Sequence, residues 1–122
     1  MYDAAVFIAA ERGDRRAWAE HRVRLEAGQV PLVPAPVVAQ VSRGPDQAQL
    51  RRLLRGCDVI PFGESDAHQA GALLAKSRTT DVVDAAVAVL AIRRQADVMS
   101  GDVSDIVRLL SAGRSKLAVT AI

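Results

Sequence analysis

Apolar residues recur at helical spacing along most of the chain, and short β-branched runs separate these stretches. The clearest helical stripe comprises Val83, Val87, Leu90 and Ala91, at positions i, i+4, i+7 and i+8. Four short runs are typical of strands, at residues 30–33, 57–62, 96–99 and 117–122. Short strands separated by helices predict an α/β sandwich with a mostly parallel sheet.

Polar residues and glycines predict where several helices begin and end. Asp14 is predicted to cap a helix that ends at Gly28, because a short carboxylate accepts hydrogen bonds from free first-turn amides and glycine tolerates a left-handed cap. Asp46 and Thr80 are predicted to cap two later helices in the same way. The Val83 stripe therefore belongs to a helix with one apolar face.

Composition indicates one folded domain, expected to span residues 1–122. Half of the residues are apolar and 25% are charged, which is typical of a folded protein and not of a disordered one. A net charge of +2 permits nucleic-acid binding without arguing for it. Aromatic residues make up only 3% of the chain, which argues against an extensive base-stacking platform.

The single cysteine excludes an internal disulfide and a cysteine-rich metal site. Cys57 is predicted to be a small buried apolar residue, and His21 and His68 to lie on the surface. A lone cysteine favours a reducing compartment, and no apolar run approaches 20 residues. We therefore expect a cytoplasmic protein that does not associate with membranes.

Five aspartates are the candidate chemistry of the chain. Asp81 and Asp84 begin the Val83 helix, Asp102 and Asp105 follow the third predicted strand, and Asp3 stands almost at the start. In a parallel α/β sheet, ligands gather at the carboxyl ends of strands. Converging carboxylates repel one another unless a cation neutralises them, and oxygen ligands suit Mg²⁺ or Mn²⁺. The pattern therefore indicates metal-assisted phosphodiester hydrolysis.

Structural explanations exist for most of these acids. Asp81 suits the first turn of a helix, Asp102 suits a turn or an N-cap, and Asp105 suits a solvated helix start. Asp84 lies one turn deeper on an otherwise apolar helix and is harder to explain by structure alone. A phosphoacceptor receiver domain is set aside, because it needs a lysine after the last strand and Lys116 precedes that strand.

Four segments resemble the motifs of the PIN domain, in order and across essentially the whole chain. They are Asp3 with the following AAVFIAA, then VVAQV, DVVDAAVAVLA and SGDVSDI. The phrase TTDVVDAAVAVLA is also similar to the toxins of VapBC toxin–antitoxin modules. The resemblance implies a three-layer α/β/α fold, Mg²⁺- or Mn²⁺-dependent endoribonuclease activity on RNA, homodimerisation, and neutralisation by a small VapB-like antitoxin.

The resemblance also implies residue roles. Asp3, Asp84 and Asp102 match the three catalytic aspartates that bind the metal. Asp105 matches a less regular further acid, and Asp81 an accessory position. Ser100 stands where a hydroxyl commonly supports the acidic cluster.

Two features depart from the PIN pattern. Gln40 stands where the second motif normally has glutamate, so it offers a neutral oxygen and removes one negative charge from the expected site. This favours, as an alternative, a catalytically weakened PIN protein that mainly binds an antitoxin or RNA. Only Met1 and Tyr2 precede Asp3, so we expect a truncated first strand and a natural start farther upstream.

Overall fold

A computed structural model describes residues 1–122, with seven helices and four short strands. The strands are β1 (Leu32–Pro34), β2 (Asp58–Ile60), β3 (Val98–Ser100) and β4 (Val119–Ala121). The helices are α1 (Ala4–Glu11), α2 (Arg15–Glu26), α3 (Ala35–Val41), α4 (Ala48–Arg55), α5 (Glu64–Ser77), α6 (Val82–Arg94) and α7 (Val103–Ala112). None of the helices combines the length and the apolar character needed to cross a membrane.

All strand pairing is parallel, as predicted. β1 pairs with β2, and β3 pairs with β4. Between the two pairs lies the segment 1–3, in which Tyr2 forms a parallel bridge with Met99. The amide of Tyr2 donates to the carbonyl of Leu32 at 2.8 Å, and the amide of Asp3 donates to the carbonyl of Met99 at 3.2 Å. The α/β prediction is confirmed, and Tyr2 is the one residue of segment 1–3 that forms a bridge.

Helix α6 lies at the centre of the helical packing. Every residue from 85 to 91 is buried, and α6 contacts α3, α5, α7 and β1. The prediction of a single apolar face was therefore wrong, because the alanines between the large residues are covered too. A helix that is apolar all round can be stable only when it is covered all round. Its first turn, which carries Asp84, is only partly buried.

One of the three predicted caps is correct. Asp14 caps α2, accepting a hydrogen bond from the backbone at 3.0 Å. Asp46 does not cap α4; the N-cap is Gln47, whose side chain instead accepts hydrogen bonds from two amides of the preceding loop. Thr80 does not cap α6, because the carboxylate of Asp81 takes that place one residue later.

His21 is buried, so its prediction as a surface residue was wrong. Its Nδ1 lies 3.2 Å from the hydroxyl of Tyr2, and its ring packs edge-on against Trp18. Burial lowers the pKa of His21, and the charge of Arg24 lowers it further. The ring therefore acts as a neutral packing and hydrogen-bonding group between α2 and the segment 1–3.

Candidate metal centre

Asp3 is held firmly at the junction of α1 and β3. It caps α1, with Oδ1 accepting a hydrogen bond from the amide of Ala5 at 2.9 Å. Its Oδ2 accepts hydrogen bonds from the hydroxyl of Ser100 and, at 3.2 Å, from the amide of Gly101. Burial raises the pKa of Asp3, and these donors act in the opposite direction by stabilising the charged form. Asp3 is therefore oriented by two separate elements.

Asp84, Asp102 and Asp105 converge on one point. One carboxylate oxygen from each lies within 4.8 Å of the others. Asp84 is in the first turn of α6, Asp102 directly precedes α7, and Asp105 is in the first turn of α7. The ion pairs of the structure lie elsewhere, so none of these three carboxylates is paired with a basic side chain. The two helix N-termini, which favour negative charge, bring the three acids together.

The negative charges of this cluster raise the pKa of Asp84. Burial, as the largest cause, and the charges of four acids together raise the pKa of Asp84 to about 7; in order of importance the acids are Asp81, Asp102, Asp3 and Asp105. Asp3 is thus near enough to act on Asp84, although it lies outside the group of three within 4.8 Å. Asp84 is the carboxylate that the other acids most strongly disfavour in its charged form.

The remaining sequence-predicted residues take different places. Asp81 is exposed and caps α6, with Oδ1 accepting a hydrogen bond from the amide of Asp84 at 2.9 Å. Ser100 is fully buried; besides holding Asp3, its Oγ accepts a hydrogen bond from the amide of Asp102 at 2.8 Å. Gln40 is an exposed residue of α3, a helix that packs against α6. Its role as a ligand stays a prediction.

Sequence reasoning missed the backbone of Gly101. Its amide donates a hydrogen bond to Asp3, whereas the sequence pattern pointed only to the neighbouring Ser100 and Asp102. The signal was present in the sequence, because a glycine between two candidate site residues often marks a close approach of backbone. The contact itself joins residues almost 100 positions apart and needs the fold to be seen.

The donor set fits a hard divalent cation. Three carboxylates with oxygens within 4.8 Å offer the ligand type of Mg²⁺ and Mn²⁺, and few other groups are present to satisfy their charge. The raised pKa of Asp84 is the physical sign of an uncompensated anionic site. Asp84, Asp102 and Asp105 would hold such an ion, with Asp3 beside them.

Comparison with known proteins identifies the family. The model of the PIN domain matches residues 1–108. A chain of a solved structure, described as FitAB bound to an IR36 DNA fragment, superposes with a TM-score of 0.67 over 98% of this chain and 92% of that chain, at 15% identity. No curated protein sequence matches significantly. The family match covers most of the chain and the superposition shows the same fold, so the chain belongs to the PIN-domain family.

Proposed function

We propose that this protein is a cytoplasmic Mg²⁺- or Mn²⁺-dependent endoribonuclease that acts as the toxin of a toxin–antitoxin pair. The observation that carries the proposal is the convergence of Asp84, Asp102 and Asp105 within 4.8 Å, none of them in an ion pair, beside the buried Asp3. Residues 1–122 form the single catalytic domain in this proposal, and the active species is a homodimer. The toxin assignment rests on the TTDVVDAAVAVLA phrase.

The residues have distinct roles in the proposed reaction. Asp3, Asp84 and Asp102 would be metal ligands, as the PIN motifs imply, and Asp105, whose carboxylate oxygen lies within 4.8 Å of those of Asp84 and Asp102, would be a fourth. A divalent cation at this position would activate water for attack on phosphorus and neutralise the developing charge. Ser100 keeps Asp3 oriented by donating a hydrogen bond to it. Because both carboxylate oxygens of Asp3 accept hydrogen bonds, its aim is set before substrate arrives.

Gln40 favours a second function. An amide in place of a carboxylate removes one charge from the second motif, and Gln40 is exposed on α3. The alternative is a PIN protein that binds an antitoxin or RNA and cleaves poorly. Gln40→Glu separates the two: a large gain in Mn²⁺ affinity and cleavage supports the weakened enzyme, whereas efficient cleavage by the native chain supports the toxin.

The decisive experiment measures cleavage of mixed-sequence single-stranded RNA by the purified chain with Mn²⁺ and with EDTA. Cleavage should require the metal, and Asp84→Asn should lower kcat/KM on the order of a hundredfold, the scale of losing one preorganised charged group. Asp58→Asn is the matched control, because Asp58 is exposed on β2 and makes no ion pair. Cleavage that survives EDTA, or equal loss in both variants, would contradict the proposal.

A groove between α2 and α4 supports the proposal of a protein partner. The groove has a volume of about 870 Å³, and its rim carries the guanidinium groups of Arg15, Arg22, Arg52 and Arg55 against the single carboxylate of Glu26. None of these four arginines forms an ion pair. The guanidinium of Arg52 lies 4.8 Å from the ring centre of Trp18.

The groove suits an acidic, partly apolar segment of an antitoxin. Val23 is 64% exposed and Leu25 is 39% exposed, and both line the groove beside the arginines. Apolar side chains flanked by unpaired cations complement a helix or strand that carries acidic and apolar residues. A small protein encoded next to this chain, with such a tail, is the proposed partner.

A further inference from the structure

The turn after β3 closes on the first turn of α1 without any intervening side chain. The amide of Gly101 reaches Oδ2 of Asp3, and the amide of Ala5 reaches Oδ1 of the same carboxylate. The hydroxyl of Ser100 donates to Oδ2 and in turn accepts a hydrogen bond from the amide of Asp102. The position of this turn therefore affects where the carboxylates of Asp3 and Asp102 lie relative to each other.

Position 101 requires glycine because there is no room for a side chain, and not because the backbone is left-handed there. A Cβ at Gly101 would lie 2.7 Å from the Cβ of Ala5, closer than real methyl and methylene carbons approach. The next nearest atom is Cγ2 of Ile122 at 3.9 Å, so the conflict is with Ala5 alone. The positive-φ glycines of the chain are Gly13 and Gly28, which shows that Gly101 has no left-handed backbone to accommodate.

We propose that Gly101 is a positioning residue: the absence of its side chain lets the turn 100–102 close against Ala5 and fixes Asp3 and Asp102 at the metal centre. The inference rests on the proposed function for its metal, and on the hydrogen bonds and the Ala5 contact for its geometry. A methyl group at position 101 pushes the turn away from α1 and weakens the donors to Asp3. A smaller residue at position 5 makes room for it again.

The test is a compensation experiment on the full chain. Gly101→Ala should raise the Kd for Mn²⁺, measured by electron paramagnetic resonance, by about tenfold or more, as losses of ligand-orienting groups do. The double variant Ala5→Gly/Gly101→Ala should return to within about threefold of the native Kd, because the two sites are directly coupled. Gly71→Ala is the control, since a Cβ there meets nothing within 4 Å.

A second measurement separates this inference from the proposed function. In metal-free protein, amide hydrogen exchange at residues 101 and 102 should be faster in Gly101→Ala and return toward the native rate in the double variant. A native chain that binds no Mn²⁺ overturns the metal function, and exchange then decides the geometry. Native Mn²⁺ affinity in a folded Gly101→Ala variant, or no recovery in the double variant, overturns the role of Gly101.

Discussion

At the scale of single residues, Asp84 is a proposed metal ligand whose charged carboxylate destabilises the metal-free folded protein. Its pKa is raised to about 7 by burial and by the neighbouring acids, far above the ordinary value of an aspartate carboxyl group. Between these two values the folded protein binds the proton more tightly than the unfolded chain does. The free energy of unfolding therefore falls as the pH rises from about 4 to about 7, as far as Asp84 is concerned. The metal-free site is destabilised most where an enzyme would work.

Asp84→Asn should consequently stabilise the metal-free protein at about pH 8 while abolishing metal binding. The expected gain is about 1 kcal/mol, smaller than the shift alone implies because Asp84 is partly exposed and screened by solvent. Urea unfolding in EDTA measures it. At about pH 4 the gain should vanish, because the native carboxyl is then largely protonated too.

The unfolding experiment at the two pH values has a matched control. Asp58→Asn, which removes an exposed acid on β2, should leave the free energy of unfolding nearly unchanged at both pH values. Mn²⁺ should stabilise the native chain at about pH 8 and not the Asp84→Asn variant. A gain that is equal at both pH values would show that the acid cluster does not repel Asp84.

At the scale of elements, α5 and α6 are joined by an ion pair that the sequence did not predict. Asp66 is buried in the first turn of α5, where Oδ2 accepts a hydrogen bond from the amide of Gly63 at 2.9 Å. Its other oxygen pairs with Arg93 at the end of α6. The ion pair links the start of α5 to the end of α6.

Arg93→Ala should lower the free energy of unfolding by about 2 kcal/mol, because it leaves a buried carboxylate without its charged partner. The half-exposed guanidinium keeps the loss below that of a fully buried pair. Arg94→Ala is the matched control: the neighbouring arginine is exposed and forms no ion pair. Equal denaturation midpoints for the two variants would exclude a structural role for the Asp66–Arg93 pair.

Sequence patterns predicted the existence of the elements better than their detailed boundaries. Each predicted strand contains or overlaps an observed one, but the third extends to Ser100, one residue past its predicted end at Met99. The cap of α6 fell one residue away from Thr80, because Thr80 and Asp81 are both good N-cap residues and local chemistry does not choose between them. The burial of His21 depends on Tyr2, which arrives from another element.

At the scale of the whole molecule, the arginine-lined groove between α2 and α4 lies apart from the residues of the metal centre. In the proposed function, partner binding and catalysis therefore use separate residues, which can be changed separately. Charge in the groove should affect association with an acidic partner, since unpaired cations on a groove rim act mainly on encounter and specificity. The metal centre should keep its affinity for Mn²⁺ when the groove is altered.

Arg22→Glu should weaken binding of the proposed antitoxin by about tenfold or more, with unchanged Mn²⁺ affinity. Calorimetric titration with the purified antitoxin measures the first quantity. Arg16→Glu is the control, because Arg16 is exposed on the same helix and does not line the groove. Equal weakening by both substitutions would indicate a general charge effect, and loss of RNA binding alone would assign the groove to RNA.

The overall arrangement was the least accessible to sequence. Helical and strand periods predicted the α/β class, and the spacing of the acids placed Asp84 and Asp102 together. The order of the strands depends on which backbone groups meet across the sheet, and no residue pattern encodes that order. The position of Asp3 follows from this order, because segment 1–3 lies between β1 and β3.

Segment 1–3 connects the two strand pairs. The two strand pairs are hydrogen-bonded to each other through residues 1–3, and the last of these residues carries one of the proposed ligands. An ion bound to the carboxylates would contact Asp3, which is hydrogen-bonded to the turn after β3. It would also contact Asp84, Asp102 and Asp105, which lie at the starts of α6 and α7. Binding of such an ion would stabilise the contact between segment 1–3 and the two helices, so it should also raise the resistance of the chain to unfolding.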